Sequence, residues 1–226
     1  MKARPILYQG AMVRALLDGS KTQTRRVFKA ERITFDANGR YTTHAMRSGE
    51  LFVTGSGPFV PGDWLHYCPY GQPGDQLWVR EAWDFLPDGV LADGTAASQP
   101  NQAVIRYWAD TSLEFRDVPL DFNPMIYNRE KVRPSIHMPR WASRITLEIA
   151  RVRVERLQDI SEADAIAEGI ARQGSGWRHY GSANAGECMR WAKNSYRSLW
   201  ESINGPGSWD ANPWVWAMEF KVVKPC

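Results

Sequence analysis

Cysteine is scarce in this sequence, and long apolar stretches are missing. The 226 residues include three cysteines, Cys68, Cys188 and Cys226, which are odd in number and far apart. The sequence contains neither a signal-peptide pattern nor an apolar run of about 18 residues. These features favour a protein of the reducing cytoplasm, with no membrane as a partner.

Pairs of metal ligands are also lacking. His66 and Cys68 lie two positions apart, but no second pair at zinc-ligand spacing follows them. An isolated cysteine is most often a small buried apolar residue. The sequence therefore predicts no metal site and no cofactor.

The chain has no Gly/Ser linker, no charged linker and no internal repeat that would divide it. With 43% hydrophobic and 23% charged residues, it is long enough to form a sizeable core. We therefore expect one domain over residues 1–226. The net charge of +3 permits binding to a polyanion but does not require it.

Three segments have helical patterns with recognisable ends. Residues 10–19 place apolar side chains at helical spacing and stop at Gly19. In residues 160–169, Ser161 is a predicted N-cap, Asp164 follows at the capping-box position, and Gly169 ends the helix. The third, amphipathic segment ends at Gly205.

Alternating apolar residues predict strands between these helices. Residues 71–83 form a turn followed by a strand, residues 133–157 lead from a proline-bounded loop into a long strand with a bulge, and residues 212–223 form a closing strand. Regular βαβ alternation is absent. We therefore predict an α+β fold built on a small, mainly antiparallel sheet or barrel.

The stretch "GSKTQTRR" begins at Gly19 and fits the pattern Gly-x-Lys-x-x-x-x-Arg, with Lys21 and Arg26 as its other fixed points. It resembles the signature of the ASCH domain, a PUA-like β-barrel superfamily linked to RNA. The order of the other pieces is similar too, and "CPYGQPGDQLWVREAW" resembles the longer phage-borne members. The resemblance implies a barrel flanked by helices, with loop or hairpin insertions at about 30–60 and 84–130.

The resemblance also implies an activity. A small bacterial member of the superfamily hydrolyses N4-acetylcytidine to cytidine and acetate with a Lys, a Thr three residues later and a Glu in a following helix. These positions are matched here by Lys21, Thr24 and Glu168. The expected function is thus metal-free hydrolysis of the N4-acyl amide of a small modified nucleoside.

Amide hydrolysis assigns a different role to each of these side chains. Thr24 would be the nucleophile, and Glu168 would pass a proton to the leaving nitrogen. Lys21 can act as a base only where burial lowers its pKa enough to outweigh a nearby carboxylate. Residues three apart on a strand point to opposite faces, so Lys21 and Thr24 converge only if Gly19 and Ser20 begin a turn.

Five further residues are candidates for the substrate-binding wall of the pocket, by charge or by an aromatic face that could stack on a pyrimidine: Arg26, Arg80, Glu81, His137 and Trp141. Other interpretations remain open for some of them. Glu81 could form a structural ion pair with Arg80, and His137 could anchor its loop by hydrogen bonds.

Two other functions remain open from the sequence. An RNA-binding module is one, because PUA-like folds commonly bind RNA and cations cluster at Arg14, Lys21, Arg25, Arg26, Lys29 and Arg32. A ribonuclease is the other, in which the same cations would stabilise phosphate charge. RNA is therefore an alternative partner to the nucleoside.

Overall fold

The computed structural model describes residues 1–28, 32–35, 40–47, 50–58, 68–86, 94–95, 102–122, 132–182 and 187–223. Three α-helices occur within these ranges: α1 (Gly10–Leu17), α2 (Glu162–Ala167) and α3 (Ala192–Asn204). The strands there are β1 (Ala3–Leu7), β2 (Gln23–Val27), β3 (Arg32–Phe35), β4 (Arg40–Arg47), β5 (Glu50–Pro58), β6 (Gln76–Arg80), β7 (Trp83–Leu86), β8 (Gln102–Tyr107), β9 (Ser112–Asp117), β10 (Thr146–Arg156), β11 (Arg172–Gln173), β12 (Gly176–Arg178), β13 (Cys188–Met189) and β14 (Trp214–Val223). The three predicted helices are confirmed.

A five-stranded sheet, in the order β1-β6-β10-β14-β2, carries the main core. β1 and β6 are parallel, and the other neighbours are antiparallel. The longest pairing joins β10 to β14, starts at Thr146 opposite Val223, and shifts register between Ile149 and Arg151. The predicted long strand, its bulge and the closing strand are confirmed.

Helices α1 and α3 share one apolar cluster with this sheet. Val13 and Leu16 of α1 are buried with Leu77 and Leu147 of the sheet and with Leu199 of α3. Each fully buried leucine or valine contributes about 1.5–3 kcal/mol relative to an exposed one. This packing holds the two helices against the sheet.

The central sheet stays open in the described part of the chain. β1 and β2 are its edge strands and do not pair with each other, so the mixed α+β class is confirmed but the closed barrel is not seen. The side chain of Arg26 on β2 donates a hydrogen bond of 2.7 Å to the carbonyl of Leu7 on β1. A side chain therefore joins the two edges at the point where a barrel would close.

Two three-stranded sheets fall in the segments predicted as insertions. One has the order β3-β4-β5, and the other has the order β7-β8-β9. The second sheet has its own core, in which Trp83, Ile105 and Tyr107 are buried together with Met138 and Ala142. A third small sheet, β11-β12-β13, lies between α2 and α3 in the chain. The described helices include none with the length and apolar character that crossing a membrane requires.

Candidate active site

A pocket lies beside the gap between the two edge strands. It contains about 460 Å³ of space free of atoms, open solvent at its mouth included. Its charged and polar lining residues are Lys21, Thr24, Arg25, Arg26, Glu168 and Asn204. Its aromatic and apolar lining residues are Tyr8, Met12, Val27, Tyr196, Leu199, Trp200 and Ile203. We call this the Lys21 pocket.

The turn after α1 brings Lys21 into the pocket. Gly19 has a φ of +80°, which ends the helix, and the Lys21 amide then donates a 2.8 Å hydrogen bond to the carbonyl of Ala15. The regular strand begins only at Gln23, and Thr24 pairs with Met218 of β14. Lys21 therefore lies in the turn while Thr24 lies in the strand. This is the geometry that allows both side chains to line one pocket.

Glu168 reaches the pocket at the end of α2. The Ser161 side chain caps this helix by accepting a 3.0 Å hydrogen bond from the Asp164 amide, as the sequence predicts. The amide of Thr22 donates to the carbonyl of Ala167 at 2.8 Å, and Lys21 forms an isolated β-bridge with Glu168. Backbone contacts thus place the carboxylate against the lysine.

This close approach of the two backbones depends on Gly169. Its φ is +80°, and a Cβ there would lie 2.7 Å from Cβ of Lys21 and 2.8 Å from Cβ of Ala15. Gly19 has the same φ, but a Cβ on it would meet no atom within 4 Å. A comparison of substitutions at Gly19 and Gly169 therefore distinguishes the cost of the left-handed backbone from the cost of a steric clash.

We expect Gly169→Ala to destabilise the protein more than Gly19→Ala does. Both variants carry the left-handed backbone cost of about 1–2 kcal/mol. Only Gly169→Ala adds the conflict with Lys21 and Ala15, about 1–3 kcal/mol more. Chemical denaturation of the two variants measures the difference in free energy of unfolding. Equal losses of stability in the two variants would show that the backbone at Gly169 does not pack closely against Lys21 and Ala15.

Lys21 and Glu168 form a buried ion pair. Nζ of Lys21 donates to Oε2 of Glu168 at 2.9 Å and to the Glu168 backbone carbonyl at 2.7 Å. Lys21, Thr24 and Glu168 are only 2%, 1% and 3% exposed. An ammonium group has three N–H donors. The described contacts of Nζ use two of them, which leaves one for Thr24 or a substrate.

Burial lowers the pKa of the Lys21 amine, and the Glu168 carboxylate offsets part of that shift by raising it. This is the direction that a general base requires, because the lowered pKa makes the neutral amine easier to reach.

Glu168→Gln should lower the pKa of Lys21 further. The substitution removes the negative charge that raises this pKa and leaves the burial in place. A pH titration followed by NMR of the Lys21 ε-carbon measures the pKa directly. Glu148→Gln is the control, because Glu148 on β10 has no described contact with Lys21. A Lys21 pKa that is unchanged or raised in Glu168→Gln would contradict this electrostatic account.

Arg25 holds the other oxygen of the Glu168 carboxylate. Its Nη1 donates to Oε1 of Glu168 at 3.0 Å, and its Nη2 lies 2.6 Å from Glu155 and 3.4 Å from Asp164. Burial lowers the pKa of Arg25, but the Glu168 and Glu155 carboxylates more than compensate and raise it overall. Arg25 therefore remains a cation and holds the Glu168 carboxylate in position.

The sequence did not predict several residues of the Lys21 pocket as site residues, among them Arg25, Tyr8 and Tyr196. The Tyr196 hydroxyl on α3 lies 3.5 Å from Oε1 of Glu168, at the limit of a hydrogen bond. Arg25 stands next to Arg26 in the motif, but only its carboxylate partners on β10 and α2 distinguish it from a surface cation. Local sequence does not reveal those partners.

Arg26, predicted to bind substrate, does line the Lys21 pocket. Its guanidinium lies 5.1 Å from the centre of the Tyr8 ring, in addition to its bond to the Leu7 carbonyl. Arg26 therefore fixes one wall of the pocket and presents positive charge there.

The other four predicted wall residues are not among those that line the Lys21 pocket. Arg80 donates to the carbonyls of Met138 and Ile136. His137 is exposed in the short turn Ser135–His137. Arg80 therefore attaches the loop around Ile136 and Met138 to β6.

Glu81 and Trp141 have partners within the fold. Glu81 is buried and receives two 2.9 Å hydrogen bonds from Arg144, so its ion-pair partner is Arg144 and not the neighbouring Arg80. Trp141 packs edge-on against Trp83 at a centroid distance of 6.0 Å. Both contacts join the β7-β8-β9 sheet region to the loop before β10.

Cys68 is buried with a free thiol, as expected for an isolated cysteine, and Cys188 is free and exposed. His66 lies outside the described residues. Across the ranges that the structure covers, no three His, Cys, Asp or Glu side chains are grouped so as to hold a metal ion. The absence of a metal from the reaction stays a prediction.

Comparison with known proteins adds no further information. No family model matches the chain, and neither a curated protein nor a solved structure is significantly similar to it.

Proposed function

We propose that this protein is a PUA-like amidohydrolase that cleaves the N4-acyl amide of N4-acetylcytidine-type nucleosides. One observation carries the proposal: Lys21, Thr24 and Glu168 come from a turn, a strand and the end of a helix, and they line a single pocket with almost no exposure. The free thiols fit an enzyme of the reducing cytoplasm.

In the proposed acylation, Lys21 first transfers a proton to Glu168, which turns the ion pair into an amine and a carboxylic acid. The amine then takes the Thr24 hydroxyl proton while Oγ1 bonds to the acyl carbon and the C=O π electrons move to oxygen. When this intermediate collapses, the C–N bond breaks and the nitrogen takes a proton from Glu168. The products are acyl-Thr24 and cytidine, with the ion pair restored.

Deacylation repeats these steps with water as the nucleophile. Lys21 again transfers a proton to Glu168, and the resulting amine removes one proton from the water as the water oxygen bonds to the acyl carbon. The ester C–O bond then breaks, Oγ1 of Thr24 takes the proton that Glu168 holds, and the carboxylic acid leaves with the ion pair restored. The two half-reactions together consume one water and one amide bond.

Arg25 opposes the first proton transfer and burial favours it. The guanidinium is ion-paired with Glu168, so a proton transfer from Lys21 to Glu168 would weaken that pair. A low-dielectric pocket favours the neutral pair once substrate has displaced water. The balance of these two effects is expected to set the height of the barrier.

The lining of the pocket fits a small aromatic substrate. Tyr196 and Trp200 of α3 contribute aromatic surface, and Asn204 adds an amide near the exposed end of the helix. Aromatic side chains stack on pyrimidine rings, and amides hydrogen-bond to their polar edges. The N4-acyl group would then enter the pocket toward Thr24.

The alternative of RNA binding has weaker support. Lys21 and Arg25 are buried and paired with carboxylates, so their charges are neutralised within the fold. An RNA-binding groove instead presents exposed cations to phosphate groups. The same pairing disfavours a ribonuclease that would use Lys21 and Arg25 on phosphate charge.

Purified protein incubated with N4-acetylcytidine tests the proposal. We expect cytidine and acetate to be released in equal amounts, and chromatography measures both products. A folded protein that releases no cytidine would contradict the proposal. In that case, RNA affinity that falls steeply with salt would favour a binding module, and cleavage of an RNA oligonucleotide would favour a ribonuclease.

A further inference from the structure

Tyr8 occupies a special position in the Lys21 pocket. It follows β1, is only 5% exposed, and lines the pocket beside Thr24. Nζ of Lys21 lies 5.5 Å from the centre of its ring, and the Arg26 guanidinium lies 5.1 Å from it. Two cations thus lie close to the Tyr8 ring.

The Tyr8 hydroxyl is buried without a hydrogen bond of normal geometry to any described residue. The Thr24 side chain lies close enough to lower the pKa of Tyr8 by hydrogen bonding, but no well-formed hydrogen bond joins the two hydroxyls. Buried polar groups in native proteins nearly always have a partner, and the exceptions call for an explanation. A ligand bound in the Lys21 pocket would supply the missing partner of the Tyr8 hydroxyl.

The surroundings of this hydroxyl favour a partner that carries negative charge. Burial raises the pKa of Tyr8 and outweighs the opposing effect of Arg26, so the phenol stays protonated and able to donate. The cationic groups of Lys21 and Arg26 lie near the ring, whereas Glu168 is already paired with Lys21 and Arg25. The protonated Tyr8 hydroxyl, close to two cations, can therefore stabilise a ligand oxygen on which negative charge develops.

We infer that Tyr8 is a catalytic residue whose hydroxyl donates a hydrogen bond to the acyl oxygen of the substrate as Thr24 adds to the acyl carbon. This inference rests on the proposed function. Tyr8 keeps its own proton throughout: its hydrogen bond to the acyl oxygen strengthens as the C=O π electrons move to that oxygen, and it weakens when the C–N bond breaks. Tyr8 would thereby provide a donor of the oxyanion hole.

Tyr8→Phe tests this role, because it removes one hydroxyl and keeps the ring. We expect kcat for N4-acetylcytidine to fall by about 10²- to 10³-fold, the usual effect of losing one oxyanion donor, with KM changed by less than about threefold. The melting temperature should not fall, since the lost hydroxyl has no normal bond within the described fold. Tyr70→Phe is the control, because Tyr70 is a neighbouring partly buried phenol outside the pocket lining.

The possible outcomes separate this inference from the proposed function. A Tyr8→Phe enzyme with kcat within threefold of the wild type would overturn the inference and leave the amidohydrolase intact. An equal loss in Tyr70→Phe, or a loss that follows a lower melting temperature, would also overturn it. A folded wild-type protein that releases no cytidine would overturn the proposed function and this inference with it.

Discussion

Thr24→Val is expected to reduce kcat/KM for N4-acetylcytidine by about 10²- to 10⁴-fold, and Lys21→Met by a similar factor. Valine keeps the shape and burial of Thr24 but removes the oxygen that bonds to the acyl carbon. Methionine keeps much of the apolar stem of Lys21 but removes the amine that accepts the Thr24 proton. Steady-state kinetics with chromatographic detection of cytidine measures both losses.

The neighbouring threonine supplies a matched control for this prediction. Thr22 is exposed and is held through its backbone amide and carbonyl. Thr22→Val should therefore keep kcat/KM close to that of the wild type. The double variant Thr24→Val/Lys21→Met should lose no more than either single variant, because the two groups act in one step. Additive losses, or an active Thr24→Val enzyme, would exclude the mechanism.

Arg25→Met is expected to lower the free energy of unfolding by about 3–5 kcal/mol. The side chain of Arg25 is 0% exposed and lies between Glu168, Glu155 and Asp164. Removing it takes one cation away from the buried Glu168 and from the half-buried Glu155 and Asp164, which keep Lys21 or Arg153 as their other partners. Denaturant titration monitored by tryptophan fluorescence measures the change.

Arg151→Met is the control for the loss of a guanidinium from the same sheet. The Arg151 side chain is 67% exposed, and its ion pair with Glu219 is 4.0 Å long. An exposed pair of this kind contributes about 0–1 kcal/mol. If Arg25→Met were as stable as Arg151→Met, the carboxylates around Arg25 would not depend on it, and Glu168 would need another explanation for its position.

The local elements could be predicted from the sequence because their signals are local. The Gly19 stop, the Ser161 cap and the Gly169 stop each follow from the chemistry of one or two residues, and all three are found. The long strand at β10 also follows from a simple alternation, including its bulge. Short-range geometry therefore gave reliable predictions for these segments.

The open sheet and the pocket wall depend on contacts between distant segments. Pairing between β1 and β2 would depend on the twist of the whole sheet and on the side chains between the two strands. Here the Arg26 side chain on β2 donates a hydrogen bond to the Leu7 carbonyl on β1. In the same way, the partner of Glu81 lies 63 positions later, at Arg144. Periodicity shows which face a side chain takes and does not show what it meets there.

Capture of the covalent intermediate tests the central claim most directly. The protein is mixed with N4-acetylcytidine, quenched within the first turnover, digested and analysed by mass spectrometry. The mechanism predicts one acetyl group on the peptide that contains Thr24, and none on that peptide in Thr24→Val. Release of cytidine with no acetyl group on Thr24 in the quenched enzyme would contradict the account.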